Sequence, residues 1–371
     1  MFLVVTRNFP PDVGGMQMLM WGLTKALVEH GPVKVFADEF KNDEAFDKKS
    51  SINIQRVKGI KLFRKYRKAN LVNDFIKEST NIRALFLDHW KSLEHINKNY
   101  LKKTKVICLV HSKEINHTKD SRLNGRLKKS LESADFVVAN SNFTKNLSIN
   151  VGIDHNKICV INPGIDKPKI LDKSYLDNAT KYFKNFKFQE DSFPKIITVA
   201  RLDKRKNHEK ILMTIKNLKS KFPKIKYISI GGGEEKNNLL KLINELDIKD
   251  NVSLLEDISE NLKLSLIASS NMFLMPSIIY NKSVEGFGIS FMEAASYGVG
   301  SIGGKDGGAS DAIVHNKTGL ICDGNNLNSI YDSTITFLDN ENYIKFGKEA
   351  LKFSENFHWK RIVKSYLKLI N

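Results

Sequence analysis

The 371-residue sequence holds only three cysteines, Cys108, Cys159 and Cys322, and no CxxC pair. A disulfide framework or a thiolate zinc site is therefore not expected, and each cysteine reads as a small core residue in a reducing compartment. No apolar run approaches the roughly 20 residues needed to span a bilayer. The opening stretch Met1–Thr6 is too short and too uncharged for a secretory signal, so a cytoplasmic protein is expected. Acidic residues are in deficit, with 41 Asp+Glu against 59 Lys+Arg and a formal net charge of +18. Arginine is scarce, 10 of those 59. With abundant Asn and Ile, much of the lysine can be codon bias in an AT-rich genome.

The distribution of charge says more than its sum. Residues 51–150 carry 21 basic and 8 acidic side chains, whereas residues 251–350 carry 6 basic and 12 acidic. A basic first half points to an anionic partner: a nucleic acid, a membrane surface or a phosphate-bearing substrate. With 41% hydrophobic and 27% charged residues the chain is globular. At roughly 150 residues per domain its length predicts two domains.

Short aliphatic runs alternate with helical patterns. Phe2–Val5, Val33–Ala37, Ala84–Leu87, Val106–Val110 and Phe136–Asn140 read as buried strands, and Val57 closes another. Gln17–His30 and Leu123–Ser133 read as helices between them. A second set follows, with strands at Lys195–Ala200, Lys226–Ile230, Val252–Leu255, Met272–Met275 and Ser301–Gly303. Its helices are Asn207–Lys221, Lys236–Leu246, Leu262–Ser269 and Ser290–Tyr297. Continuous apolar runs separated by helices predict parallel sheets covered on both faces. The expected organisation is α/β: a Rossmann-like domain over 1–170, a linker region over 171–194 with a helix at Ser174–Phe186, and a second Rossmann-like domain over 195–354. The basic helical tail, about 355–371, is expected to pack back on the first domain.

Ligands in such sheets bind just beyond the carboxyl ends of the strands, and three segments there carry chemistry. Gly14-Gly15 precedes the first helix, where backbone N–H groups can approach a phosphate; a tight turn needing positive φ is the plainer alternative. Arg201 and Lys206 share one strand-to-helix loop, and a guanidinium with an ammonium suits a diphosphate; a solvated basic loop is the alternative. Glu285 and Glu293 stand eight positions apart around a glycine-containing turn, with Glu293 set among Phe291, Met292, Ala294 and Ala295. A carboxylate there needs a hydrogen-bond partner, and sugar hydroxyls are good ones. The following Gly303-Gly-Lys-Asp-Gly-Gly308 is a second glycine-rich strand end able to present N–H groups to an anion.

Taken in order with His111, Asn162-Pro-Gly-Ile-Asp166 and Gly231-Gly-Gly-Glu234, these motifs resemble the GT-B retaining glycosyltransferases of the GT4 group. Gly-Gly-Met-Gln17 and Asn162–Asp166 resemble the branch containing mannosyltransferases that act on phosphatidylinositol mannosides. The resemblance implies two Rossmann-like domains facing a central cleft. It implies transfer of a hexose from a nucleotide diphosphate sugar, of GDP-mannose or UDP-glucose type, to a hydroxyl acceptor, with retention at the anomeric carbon. By the same resemblance Arg201 and Lys206 hold the donor diphosphate and stabilise it as it leaves. Glu285 meets the donor-sugar hydroxyls, aided by the backbone of Gly286, Phe287, Gly288 and Ile289. Glu293 takes the nucleotide ribose, Gly14 and Gly15 lie at the diphosphate, and His111 lies at the sugar's reacting face.

Gln17 stands where Glu is frequent in the group, and Asp311 stands where Glu is usual, so Asp311 receives no catalytic role. The sequence has no Asp-x-Asp, the arrangement by which metal-dependent sugar-nucleotide enzymes hold a divalent ion. No metal and no other cofactor is expected, with Arg201 and Lys206 supplying the charge. Lys58–Lys68 places six basic residues among Ile60, Leu62, Phe63 and Tyr66, a mixture suited to an anionic membrane. Lys102, Lys103, Lys105, Arg122, Arg126, Lys128 and Lys129 extend that basic region, 58–129. Peripheral attachment to the inner face of the cytoplasmic membrane, to reach a lipid-linked acceptor in glycolipid or surface polysaccharide synthesis, is the expectation. No nucleic-acid partner is expected, because no binding module of that kind is present. The competing readings are a sugar-nucleotide epimerase of the same form and a non-catalytic membrane-binding protein on this scaffold.

Overall fold

A computed structural model describes residues 1–101, 104–172, 174 and 192–371. All of the expected helix at Ser174–Phe186 except Ser174 itself, and Lys102 and Lys103 of the basic region, lie outside the described residues. The chain divides into two compact units, Met1–Asp166 with Phe357–Asn371, and Lys167–Asn356.

The first unit is built on seven strands: β1 (Phe2–Thr6), β2 (Val33–Asp38), β3 (Asn53–Val57), β4 (Ala84–Leu87), β5 (Lys105–Val110), β6 (Phe136–Ala139) and β7 (Ile158–Val160). All pair in parallel, in the order β3-β2-β1-β4-β5-β6-β7. β1 and β4 are buried at every position. Both sheet faces are covered, which is why these strands read as unbroken apolar runs. One face packs Leu3, Val5, Leu85 and Leu87 with Val72, Trp90, Leu127 and Leu131 into a single core. The helix Trp359–Lys368 closes this unit: Ile165 exchanges backbone hydrogen bonds with Phe357 and Trp359 at 2.8 and 3.1 Å. The Trp359 indole lies so close to Gly22 and Gly164 that a Cβ on either would fall 2.0–2.5 Å from it.

The second unit holds six strands: β8 (Lys195–Val199), β9 (Lys226–Ile230), β10 (Val252–Leu255), β11 (Met272–Met275), β12 (Ser301–Gly304) and β13 (Gly319–Cys322). They are parallel in the order β10-β9-β8-β11-β12-β13. In each sheet the strand order reverses once, between β1 and β4 and between β8 and β11. Chains leaving two such neighbours diverge to opposite faces and open a crevice at their carboxyl ends.

The basic segment Lys58–Lys68, suited by sequence to a membrane surface, runs into the 18-residue helix Lys61–Glu78, which turns much of its charge inward. Lys68 is buried, its ammonium 2.6 Å from Asp38 and 2.7 Å from the Thr6 carbonyl. Arg64 pairs with Glu39 at 2.7 Å, Lys65 with Glu94 at 3.3 Å, and Lys58 with Glu44 at 3.1 Å. With Arg67 donating to the Ile60 carbonyl at 2.9 Å, five of the six cations in Lys58–Lys68 are engaged within the protein. The interleaved apolar residues are not, with Leu62 73% and Phe63 51% exposed. Among the described residues no helix is long and apolar enough to cross a membrane.

Candidate active site

The loop after β8 is held from several sides. Asp203 caps the turn Lys204–Lys206 by accepting from the Lys206 N–H at 3.1 Å. Asn207, at φ 63°, donates its amide to the carbonyls of Pro276 at 2.9 Å and Gly324 at 2.8 Å. Its neighbour His208 is buried and bonds the Arg201 carbonyl at 3.2 Å; burial lowers its pKa to about 4, so it stays neutral. A Cβ on Gly231 would lie 2.2 Å from the Ala200 carbonyl oxygen and one on Gly233 2.3 Å from that of Leu202. The glycine triplet therefore serves close approach of the β9 loop to the β8 loop.

At the crevice between β8 and β11 this loop meets Glu285. The Lys206 ammonium is hydrogen-bonded to the Glu285 carboxylate, and the Arg205 guanidinium reaches the same carboxylate oxygen at 2.9 Å. Burial alone would raise the Glu285 pKa, but the two cations outweigh it and bring it to about 2. Burial lowers the proton affinity of Lys206 and the carboxylate opposes that loss. The result is a buried, ionised cluster, and Asp203 adds a second carboxylate 3.7 Å from Arg205. Its backbone is fixed from behind: Gly308 donates its N–H to the Glu285 carbonyl at 2.8 Å, and a Cβ on Gly307, at φ 108°, would lie 2.4 Å from that oxygen. The Gly303–Gly308 turn, expected to offer N–H groups to an anion, spends that of Gly308 on Glu285 and that of Lys305 on Cys322.

Arg201 is not part of the cluster. Its side chain is 76% exposed and touches Asp203 at 3.4 Å, whereas Lys206 is 10% exposed. Sequence spacing paired Arg201 with Lys206, while the structure gives Lys206 the neighbour Arg205, which sequence reasoning passed over. The only prior signal was the basic run Lys204-Arg205-Lys206, and a run does not say which member turns inward.

Beyond Glu285, Gly286 and the buried Phe287 lead to Gly288, at φ 88°, which opens the helix Ile289–Ser296 without a side-chain cap. Glu293 lies on that helix. Phe291, Met292, Ala294 and Ala295 are buried while Glu293 is only half-buried, because successive helical residues point about 100° apart. Its partner is Lys263 at 2.8 Å, which also holds Glu260 at 3.0 Å. The partner that the sequence required is therefore a lysine of the protein, and a ribose hydroxyl at Glu293 would share the carboxylate with it.

In the first unit His111 follows β5. Its Nε2 bonds the Asp88 carbonyl at 3.0 Å, and Glu114 accepts from the backbone N–H groups of His111 and Ser112. Gly14 is extended, at φ 165°, and Gly15 is the first residue of the helix Gly15–Val28. Among the described residues a Cβ on Gly15 would meet nothing within 4 Å. The positive-φ turn offered as the plainer account of this pair is absent, and no described neighbour requires Gly15 to lack a side chain.

Two parallel six- and seven-stranded α/β units, with charged loops gathered at the carboxyl ends of their strands, form the GT-B architecture. Residues 13–168 match the family Glycosyltransferase Family 4, and residues 180–357 match Glycosyl transferases group 1. The chain belongs to this glycosyltransferase family. It is 23% identical over 361 residues to the GDP-mannose-dependent alpha-(1-6)-phosphatidylinositol monomannoside mannosyltransferase of Mycobacterium tuberculosis H37Rv, covering 93% of this chain and 91% of that protein. Its fold is similar to that of Anabaena HepE, crystallised in complex with UDP, with a TM-score of 0.80 at 14% identity over 99% of this chain and 98% of that one. It is likewise similar to sucrose-phosphate synthase from Thermosynechococcus elongatus, with a TM-score of 0.79 at 17% identity and coverage of 99% and 98%.

Proposed function

We propose that this glycosyltransferase moves a hexose from a nucleoside diphosphate sugar to a hydroxyl of a lipid-linked acceptor, with retention at the anomeric carbon and without a metal ion. The observation that carries the reading is the buried Lys206–Glu285–Arg205 cluster at the β8/β11 crevice. Glu285 holds two cations in place, and with Arg201 at the rim three cations of the loop stand against the two carboxylates Asp203 and Glu285. The one positive charge in excess is available to a diphosphate whose negative charge grows as the glycosidic bond breaks. Stabilisation of that kind is strongest in the transition state and accelerates the step. In this reading Glu285 also accepts from donor-sugar hydroxyls, and the uncapped helix start at Gly288–Ile289 faces the same group. Glu293, with Lys263, takes the ribose. Gly14, Gly15 and His111 serve the donor from the first unit.

The name of the mycobacterial relative supports a GDP-mannose donor and a phosphatidylinositol-linked acceptor; the UDP complex of the Anabaena relative supports a uridine donor. A thermal-shift panel of GDP-mannose, UDP-glucose, UDP-galactose and UDP-N-acetylglucosamine separates them. Transfer from the stabilising donor is expected to survive EDTA. Loss of turnover in EDTA, restored by Mg²⁺ or Mn²⁺, refutes metal independence, and isomerisation of the donor without acceptor replaces transfer by epimerisation. For the acceptor side, the exposed Ile60, Leu62 and Phe63 beside Lys61 support peripheral attachment to the inner face of the cytoplasmic membrane.

A further inference from the structure

The first sheet has its own crevice, between β1 and β4, and the donor reading makes no use of the side chains there. Arg7 leaves β1, and His89, Trp90 and Lys91 leave β4. The two strand ends are locked together by Asp88, fully buried, which accepts from the Arg7 N–H at 2.7 Å, the Thr6 hydroxyl at 2.9 Å and the Ser92 hydroxyl at 2.9 Å. Asp88 is thereby committed to backbone and hydroxyl groups. The Lys91 ammonium stands 5.2 Å from the centroid of the Trp90 ring, and the Arg126 guanidinium 5.7 Å from the same ring. The nearby carboxylate, Glu94, already takes Arg126 at 2.7 Å and Lys65 at 3.3 Å. Among the described residues no carboxylate pairs with the Arg7 guanidinium or with the Lys91 ammonium.

The surroundings register this excess of positive charge. Lys91 is half-buried, and its pKa is lowered by burial and then by Arg7 and Arg126, with Glu94 opposing. His89 is buried, accepts the Lys91 N–H at 2.9 Å, and is driven well below the usual histidine range by burial and then by Arg7 and Lys91. An arginine and a half-buried lysine that leave the adjoining ends of β1 and β4, where an α/β sheet opens toward ligand, with no carboxylate partner among the described residues, suit a multiply charged anion.

We propose that Arg7 and Lys91 bind a phosphate group carried by the acceptor, placing its hydroxyl at the carboxyl end of the first sheet. The guanidinium and the ammonium supply the charge, and the Trp90 indole, 5.2 Å from the Lys91 ammonium, sets the lysine head. Calling the phosphate-bearing molecule the acceptor rests on the transfer reading above; the anion binding itself does not.

The test is calorimetric titration of the full chain without donor, using glycerol 3-phosphate as a monoester and dihexanoyl phosphatidylinositol as a diester headgroup. Wild-type protein is expected to bind one of the two. Lys91→Gln and Arg7→Gln should each weaken that probe about tenfold, the loss of one charge-assisted contact. Lys91→Arg should retain it, and Lys98→Gln, an exposed charge outside the crevice, should change nothing. Binding of the diester alone assigns the site to a lipid headgroup, and binding of the monoester alone to a soluble phosphorylated acceptor. Titration of the same variants with the stabilising nucleoside diphosphate checks the fold and separates the two readings. Phosphate binding without nucleotide binding overturns the transfer reading and leaves this site standing. Absence of binding by both phosphate probes at millimolar concentration, or wild-type affinity in both glutamine variants, overturns the site.

Discussion

Replacing Glu285 by glutamine keeps the shape of the side chain and removes the charge that holds Lys206 and Arg205. The carboxyl titrates at about 2 in the fold against 4.5 as the reference. At about 1.4 kcal/mol per pKa unit this difference is worth about 3 kcal/mol of stability at neutral pH. The same size is expected from leaving buried cations without their partner, about 3–5 kcal/mol. Because the folded pKa is the lower one, the contribution is complete above pH 4.5 and is lost as the pH falls from 4.5 toward 2. Glu285→Gln should therefore lower the midpoint of the unit Lys167–Asn356 at pH 7 by about 6–12 °C. The gap to wild type should close as the pH falls through that window. His208 titrates in both proteins and cancels in the difference. Scanning calorimetry at pH 7, 5 and 3, with a transfer assay on the folded variant at low temperature, reads both consequences. Equal midpoints at pH 7 would refute the clamp, and full transfer activity in a destabilised variant would refute the placement of Glu285 in the site.

Lys206→Ala should lower kcat about 10²–10³-fold, the usual cost of losing one preorganised group at developing charge, while Arg201→Ala, at the rim, should act mainly through KM; steady-state kinetics shows whether the two separate. Gly15→Ala adds a methyl that meets no atom of the described residues within 4 Å. The thermal midpoint should hold or rise slightly, as helix propensity dictates, while affinity for the donor falls; unchanged donor affinity removes Gly15 from the site. Leu62→Ser with Phe63→Ser removes exposed apolar surface worth about 2 kcal/mol on insertion. Sedimentation with anionic vesicles should then drop more than tenfold, whereas equal recovery of wild-type protein on neutral and anionic vesicles would end the membrane reading.

Most strands legible in the sequence are flanked by neighbours and covered on both faces: Ala84–Leu87, Lys226–Ile230 and Met272–Met275 coincide with β4, β9 and β11. Val252–Leu255 coincides with β10, at a sheet edge. The strands passed over, β7 and β13, are three and four residues long and lie at sheet edges; runs this short carry little periodic signal. Within the site the sequence placed Lys206 and Glu285 beyond strand ends. It missed Arg205, Lys263 and the Arg7–Lys91 crevice, because the fold brings together positions far apart in the chain, 80 residues for Arg205 and Glu285 and 30 for Lys263 and Glu293, that no local pattern connects.

By itself the sequence determined the architecture and the family, since buried parallel strands and glycine-bearing strand ends leave a periodic, ordered trace along the chain. It also located the positive charge in the first half. Only the tertiary structure decided what that charge does. It turns Arg64, Lys65 and Lys68 onto carboxylates of the protein, sets Lys206 and Arg205 on one buried carboxylate, and leaves Arg7 and Lys91 without a carboxylate partner among the described residues. A count of residues fixes net charge, but whether a cation is neutralised depends on what stands within a few ångströms of it, and that is a property of the fold.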